Sequence, residues 1–101
     1  MLDKGPAGRA GLDRLMLKVN ERDNVAVALR EIVAGTEVEV PGRGVLKAAD
    51  DIPYGHKIAL EEIPEGHPVV KYGETIGLAS THVPEGGWVH TQNMGPVEVN
   101  S

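Results

Sequence analysis

The side chains able to do chemistry fall in three short runs. His56 and Lys57 directly follow the Gly55 turn, at the entry to an expected strand. His90 comes two residues after Trp88, with Asn93 three residues beyond it. Lys71-Tyr72-Gly73-Glu74 gathers an ammonium, a phenol and a carboxylate around a glycine. An imidazole takes or gives a proton near neutral pH and is the commonest metal ligand. An ammonium holds developing negative charge. Each group also has a plain structural reading. His56 and Lys57 can be solvated surface residues. His90 can pack under Trp88 or bond a neighbouring carbonyl, and Asn93 can cap a turn. Lys71 to Glu74 reads as a hairpin turn whose Tyr72 and Glu74 could still touch a substrate or partner. His67 and His82 sit beside Pro-Gly turns and read as solvent-facing. Asp50-Asp51 and Glu61-Glu62 lack the spacing of a metal site and read as solvated faces.

The elements that carry these residues are short. Residues 1–13 hold three glycines, a proline and charges of both signs, and read as a flexible arm. Leu15, Leu17 and Val19 alternate as a strand. Val25, Leu29, Ile32 and Val33 fall at i, i+4, i+7 and i+8, behind Asp23 or Asn24 as N-cap and ahead of Gly35 as C′ glycine. This spacing predicts one helix over residues 24–34. From Thr36 onward, β-branched runs are cut by Gly and Pro and predict strands and turns. Residues 95–101 form a tail that either adds an edge strand or frays.

An internal repeat organises the middle of the chain. Ile52-Pro53-Tyr54-Gly55, Ile63-Pro64-Glu65-Gly66 and Val83-Pro84-Glu85-Gly86 share one pattern, and Ile32-Val33-Ala34-Gly35 is a copy without proline. A shift of 31 residues maps 31–60 onto 62–91, pairing Ile32/Ile63, Gly35/Gly66, Pro53/Pro84 and Gly55/Gly86. Each unit places a β-branched anchor, a proline that presets φ and a glycine that accepts positive φ. Two such halves predict a bent, pseudo-twofold, mainly β body. His56, Lys57 and His90 align with Gly87, Trp88 and Ala59, so the scaffold does not require them. Their position after the Gly55 turn predicts that His56 and Lys57 lie together at a cleft edge.

Length and charge narrow the function classes. The chain has 101 residues, 41% of them hydrophobic, which fits one domain with an aliphatic core. Its formal charge of −5 and lack of Lys/Arg runs argue against nucleic acid and anionic membrane as partners. With no cysteine there is no thiol nucleophile or thiolate metal site. No apolar h-region or long apolar stretch is present, and a cytoplasmic location is expected.

The run Ile52 to Leu60, the run Lys71-Tyr72-Gly73-Glu74-Thr75-Ile76-Gly77 and the run Trp88 to Asn93 resemble the SAF (β-clip) domain of the altronate/galactarate dehydratase family. The likeness covers about residues 14–94, and its sequence departs at Gln92, where the family usually has a second histidine. The resemblance implies a β-clip fold and lyase chemistry on sugar acids. It implies a small subunit, or excised domain, that completes an active site with a large catalytic subunit. A sulfo-lyase acting on sulfolactate is a related member. Elimination beside a carboxylate needs a base, an acid and positive charge. On this reading His56 and Lys57 are catalytic, Tyr72, Glu74 and Asn93 bind substrate, and His90 is a metal ligand. The expected cofactor is a divalent metal, iron by resemblance, held mainly by the large subunit. The rival reading is a non-catalytic SAF-type carbohydrate-binding or assembly module, with a Trp88 face that joins subunits or further copies of the chain.

Overall fold

The computed structural model describes residues 15–18, 20–40 and 43–97. The expected arm over 1–13 and the end of the tail, 98–101, lie outside them. Nine short strands form the described body: β1 (Met16–Leu17), β2 (Val25–Ala28), β3 (Glu37–Val40), β4 (Gly44–Lys47), β5 (Lys57–Ala59), β6 (Pro68–Lys71), β7 (Glu74–Ala79), β8 (Trp88–Val89) and β9 (Met94–Gly95). All pairings are antiparallel. One sheet runs β1-β2-β5-β8, a second is the β3-β4 hairpin, and a third runs β6-β7-β9.

The repeat is written into the hydrogen bonds. Ile32 bridges Ile52, and 31 residues on Ile63 bridges Val83. Gly35 N–H donates to Ala48 O as Gly66 N–H donates to Ala79 O, and Gly55 to Ala28 O as Gly86 to Ala59 O. All four glycines have positive φ, between 84° and 91°, the backbone that only glycine adopts without strain. The hairpins β3-β4 and β6-β7 are counterparts, with one difference. Val69 pairs Gly77 and Val70 pairs Thr75, so Ile76 is an extra residue that bulges β7. A bulge bends its strand and re-aims the neighbouring side chains. Here it serves the turn Lys71-Tyr72-Gly73-Glu74.

Two apolar clusters fill the body. The first joins Met16, Ala26, Ala28, Ile32, Val38, Val40, Leu46, Ala48, Ile52, Ile58 and Leu60, and Trp88 packs on it half-buried. The second joins Val25, Ala59, Ile63, Val69, Ala79, Val83 and Val89. The four-stranded sheet divides them, since alternate residues of β2 and β5 enter opposite clusters.

Two expectations need correction. Among the described residues there is no helix, and Val25–Ala28 is a strand paired with β5. Leu29 and Val33, half of the expected apolar stripe, are 37% and 59% exposed. The apolar run 25–28 is continuous because both faces of β2 are covered, which removes the alternation that marks a strand. Gly35 supplies its positive φ to a turn of the repeat rather than to a helix end. In β1 the phase is reversed: Met16 is buried and Leu17 exposed, while Val19 lies outside the described residues.

Candidate functional site

The β5-β8 ladder pairs Lys57 with Val89 and Ile58 with Trp88. Carried one step further, it sets His56 opposite His90. Their ring centroids are 4.6 Å apart. Trp88 lies near both rings, stacked on His90 at 6.0 Å and 5.6 Å from His56. The indole N–H donates to His56 Nδ1 at 3.1 Å. Because an indole can only donate, Nδ1 must accept, and neutral His56 carries its proton on Nε2. Among the described residues, His56 Nε2 and both ring nitrogens of His90 have no hydrogen-bond partner.

The backbone under these rings is tied down. Asn93 Oδ1 accepts from His90 N–H (3.0 Å), and its Nδ2 donates to Trp88 O (2.8 Å). Asn93 thus closes the 90–93 turn, the structural role its position allows. Gln92, at the departure from the family pattern, donates from Nε2 to Trp88 O at 3.3 Å. Asp50 Oδ2 accepts from Trp88 N–H at 3.0 Å, and Asp51 Oδ1 from Ala34 N–H at 2.8 Å. The acidic pair therefore anchors backbone amides, beyond the solvated face expected of it. Glu61 and Glu62 are exposed, Glu61 in an ion pair with Arg43 and Glu62 in a hydrogen bond with His82.

His56 and Lys57 do not share one cleft edge. Strand alternation sends adjacent residues to opposite faces, and Lys57 stands between Val27 and Val89 on the face of the second cluster. Both residues are half-buried. Burial, and then the charge of Lys71, hold the Lys57 ammonium below the ordinary lysine pKa. Lys71 reaches over the Tyr72 ring, 4.8 Å from its centroid. Tyr72 and Gly73 have φ of 57° and 77°, the two positive values of a type I′ hairpin. Glu74 pairs with Lys71 in the ladder. The candidates thus divide into an imidazole locus (His56, His90 and Asn93, beside Trp88) and a lysine locus (Lys57, Tyr72 and Glu74, with Lys71).

One residue that matters here reads from sequence as a helix cap and is something else. Asp23 is 2% exposed. Its Oδ2 accepts from Asn20 N–H at 3.1 Å and its Oδ1 from Gly73 N–H at 2.8 Å. Arg22 Nη2 donates to Gly73 O at 2.7 Å. Asn24 spans β6 from the same loop, Nδ2 to Pro68 O and Oδ1 from Val70 N–H. The polar run 20–24 is the latch that docks the Tyr72-Gly73 tip. The long sequence separation hides it, although Asn20 and Asp23 in an Asn-Glu-Arg-Asp-Asn run are turn-forming residues.

The described residues do not make a metal centre by themselves. No three His, Asp or Glu side chains converge. The bond from Trp88 leaves a proton, not a lone pair, on Nε2 of neutral His56. Of the two facing rings, His90 is the one that offers a free imidazole lone pair.

The fold and its repeated bridges define a mainly β SAF-type domain with an imidazole pair at one sheet end. The model of the altronate/galactarate dehydratase SAF domain matches residues 14–96, and the chain belongs to that family. It is 42% identical over 77 residues to altronate dehydratase of Bacillus subtilis, covering 76% of this chain and 15% of that protein. It is 37% identical over 75 residues to galactarate dehydratase (L-threo-forming) of Escherichia coli, covering 72% of this chain and 14% of that protein. Against (2R)-sulfolactate sulfo-lyase subunit alpha of Paracoccus pantotrophus it is 48% identical over 48 residues, 48% of this chain and 72% of that subunit. The chain thus spans about 15% of the length of the dehydratases it matches. Among the described residues no helix is long and apolar enough to cross a membrane.

Proposed function

We propose that this chain acts as the small subunit, or SAF part, of a cytoplasmic sugar-acid dehydratase and completes an active site with a larger catalytic body. The observation that carries the reading is the imidazole pair. His56 and His90 face each other at the end of a rigid ladder, with three of their four ring nitrogens unengaged by the described residues. In its neutral form His56 presents an N–H, suited to protonating a leaving hydroxyl. His90 presents a lone pair, suited to taking a proton or holding a metal. A divalent metal, iron by family resemblance, is then held mainly by the larger body, with His90 as at most one ligand.

Two imidazoles on a narrow β body do not enclose a substrate against water. The larger body supplies the walls, and the SAF part alone is inactive. The sulfo-lyase likeness fits this division, since that relative is itself a subunit.

The test reconstitutes the chain with its catalytic partner and assays sugar acids and sulfolactate. His56→Ala and His90→Ala are each expected to lower turnover by roughly 10²–10⁴-fold, while affinity for the partner stays within a few-fold. Undiminished turnover in both variants would leave a module that only docks or binds carbohydrate.

A further inference from the structure

Three strands of the four-stranded sheet are related by the repeat. The 31-residue shift carries Val25 to Ala28 onto His56 to Ala59, and these onto Gly87 to His90. It also carries the β2-β5 register onto the β5-β8 register, so the His56–His90 pair stands where the first ladder sets Val25 opposite Ala59. The two places differ in what lies beyond them. Ala59 gives its N–H to Gly87 O (2.9 Å) and accepts from Gly86 N–H (2.8 Å), so the chain entering the next strand holds both its backbone groups. His90, the counterpart of Ala59, follows β8, the last strand of the sheet. Its N–H goes to Asn93 Oδ1 and its carbonyl accepts from Asn93 N–H, each at 3.0 Å. Asn93 Nδ2 donates to Trp88 O at 2.8 Å. One asparagine thus fills the place of the strand that the repeat would add.

Among the described residues the same three bonds recur at Asn24. It donates from N–H to Val70 O (3.1 Å), accepts from Val70 N–H (2.7 Å) and donates from Nδ2 to Pro68 O (2.9 Å). In both clamps a side-chain amide, shaped like a peptide group, spans residues i and i+2 along the outer edge of an end strand. The residues held on β8 are those that carry the rings of Trp88 and His90. Asp50 Oδ2 takes the remaining outward group there, Trp88 N–H.

We propose that Asn93 is a positioning residue for the imidazole pair: it fixes the His90 backbone as a further strand would, and so sets the His90 ring against His56 and Trp88. The role rests on the reading of that pair as the reacting groups. Both backbone polar groups of His90 end on Asn93, while its ring nitrogens have no partner among the described residues. The 4.6 Å and 6.0 Å ring separations therefore depend on the clamp. Without it, the end of an edge strand opens locally at small cost.

The experiment is NMR on the full chain, following ring-to-ring Overhauser contacts and amide exchange in Asn93→Ala and Asn24→Ala. In Asn93→Ala the His56–His90 and Trp88–His90 ring contacts are expected to weaken severalfold. The His90 amide is expected to exchange roughly tenfold faster, the worth of one hydrogen bond. Asn24→Ala loses the equivalent side-chain bonds on β6 and is expected to keep the parent ring contacts, which separates positioning from a general loss of stability. Slow amides at the Ile63–Val83 bridge establish that the fold is intact. Where Asn93→Ala does not hold its fold, Asn93→Asp takes its place. It keeps the acceptor for His90 N–H and sets an oxygen against Trp88 O in place of the donor. Its Trp88–His90 stacking is expected to loosen while the His90 amide stays slow. Unchanged ring contacts in the folded variant, or contacts weakened equally by Asn24→Ala, would overturn the proposal. With the catalytic partner added, Asn93→Ala is expected to lower kcat about tenfold, the same hydrogen-bond worth, with KM within a few-fold. Loosened rings with undiminished kcat would overturn the proton-transfer reading and the positioning role with it, whereas unchanged rings overturn the clamp alone.

Discussion

The indole N–H of Trp88 donates to Nδ1 of His56 across 3.1 Å and thereby selects which nitrogen of that ring carries the proton. Trp88 is thus more than a lid on the first cluster. It sets the direction in which His56 can donate.

Trp88→Phe keeps much of the packing and removes the donor. The expected result is a loss of stability of about 1 kcal/mol, the usual net worth of one hydrogen bond, together with a change in His56. In ¹⁵N-histidine spectra the parent shows His56 as the Nε2–H tautomer, and the variant shows a mixture. An unchanged tautomer would mean that the indole contact does not govern the ring.

The Asp23–Gly73 latch gives a second prediction. A buried carboxylate that accepts backbone amides is worth more than a neutral bond, and an amide in its place turns one acceptor into a donor. Asp23→Asn is expected to cost about 2–3 kcal/mol. Amide exchange should quicken first at Gly73 and Tyr72, at the loosened tip. Gly73→Ala attacks the same contact from the other side, since its Cβ would come within 2.9 Å of Asn20 Nδ2 at a φ of 77°. If denaturant titrations find both variants as stable as the parent, the latch contributes nothing.

The fold is legible in the sequence where backbone conformation is tied to residue type. Gly35, Gly55, Gly66 and Gly86 announce positive φ, and with the prolines they reveal the repeat without any knowledge of pairing. Val25 to Ala28 reads as helix because a strand covered on both faces loses its alternation, and Leu29 and Val33 happen to complete a helical stripe. The site is legible as a set of residues and hidden as an arrangement. That His56 faces His90 follows from ladder register, and that the Tyr72-Gly73 tip docks on the 20–24 loop follows from the bonds of Asp23 and Asn24. Neither fact has a local signature. Trp88 stands out in the sequence for its size, whereas its bond to His56 depends on the same register.

Lys57 gives the pH prediction. Its folded pKa lies below the ordinary 10.5, so between these two values the unfolded chain binds more protons and stability rises with pH. The cost of the charged ammonium is fully present below the folded pKa and is relieved as pH climbs through it toward 10.5. The Tm difference between Lys57→Met and the parent, measured from neutral to strongly alkaline pH, should therefore shrink as pH rises, with the variant favoured at neutral pH. Lys71→Met should raise the Lys57 pKa in an NMR titration, because it removes the neighbouring charge. A pH-independent difference would mean that Lys57 titrates as an ordinary surface lysine.

The two halves of the repeat differ in how tightly they are packed, and one pair of glycines exposes the difference. Gly55 and Gly86 are equivalent at the 31-residue shift, with the same φ of 84° and the same bond to a strand carbonyl. A Cβ at Gly55 would meet no atom within 4 Å, whereas one at Gly86 would collide with the Lys47 carbonyl oxygen. Gly86 also accepts a bond from Ala49 N–H, so the chain that would have to move is tied to the turn itself. Gly55→Ala then carries only the left-handed penalty, about 1–2 kcal/mol. Gly86→Ala adds a steric clash with backbone, and a total above about 3 kcal/mol is expected, in the range reserved for backbone strain and overpacking. Denaturant titrations of the two variants settle the comparison. Equal losses would mean that the approach of Lys47 to the second turn is loose enough to yield. The matched hydrogen bonds would then describe the strain at both positions without the contact.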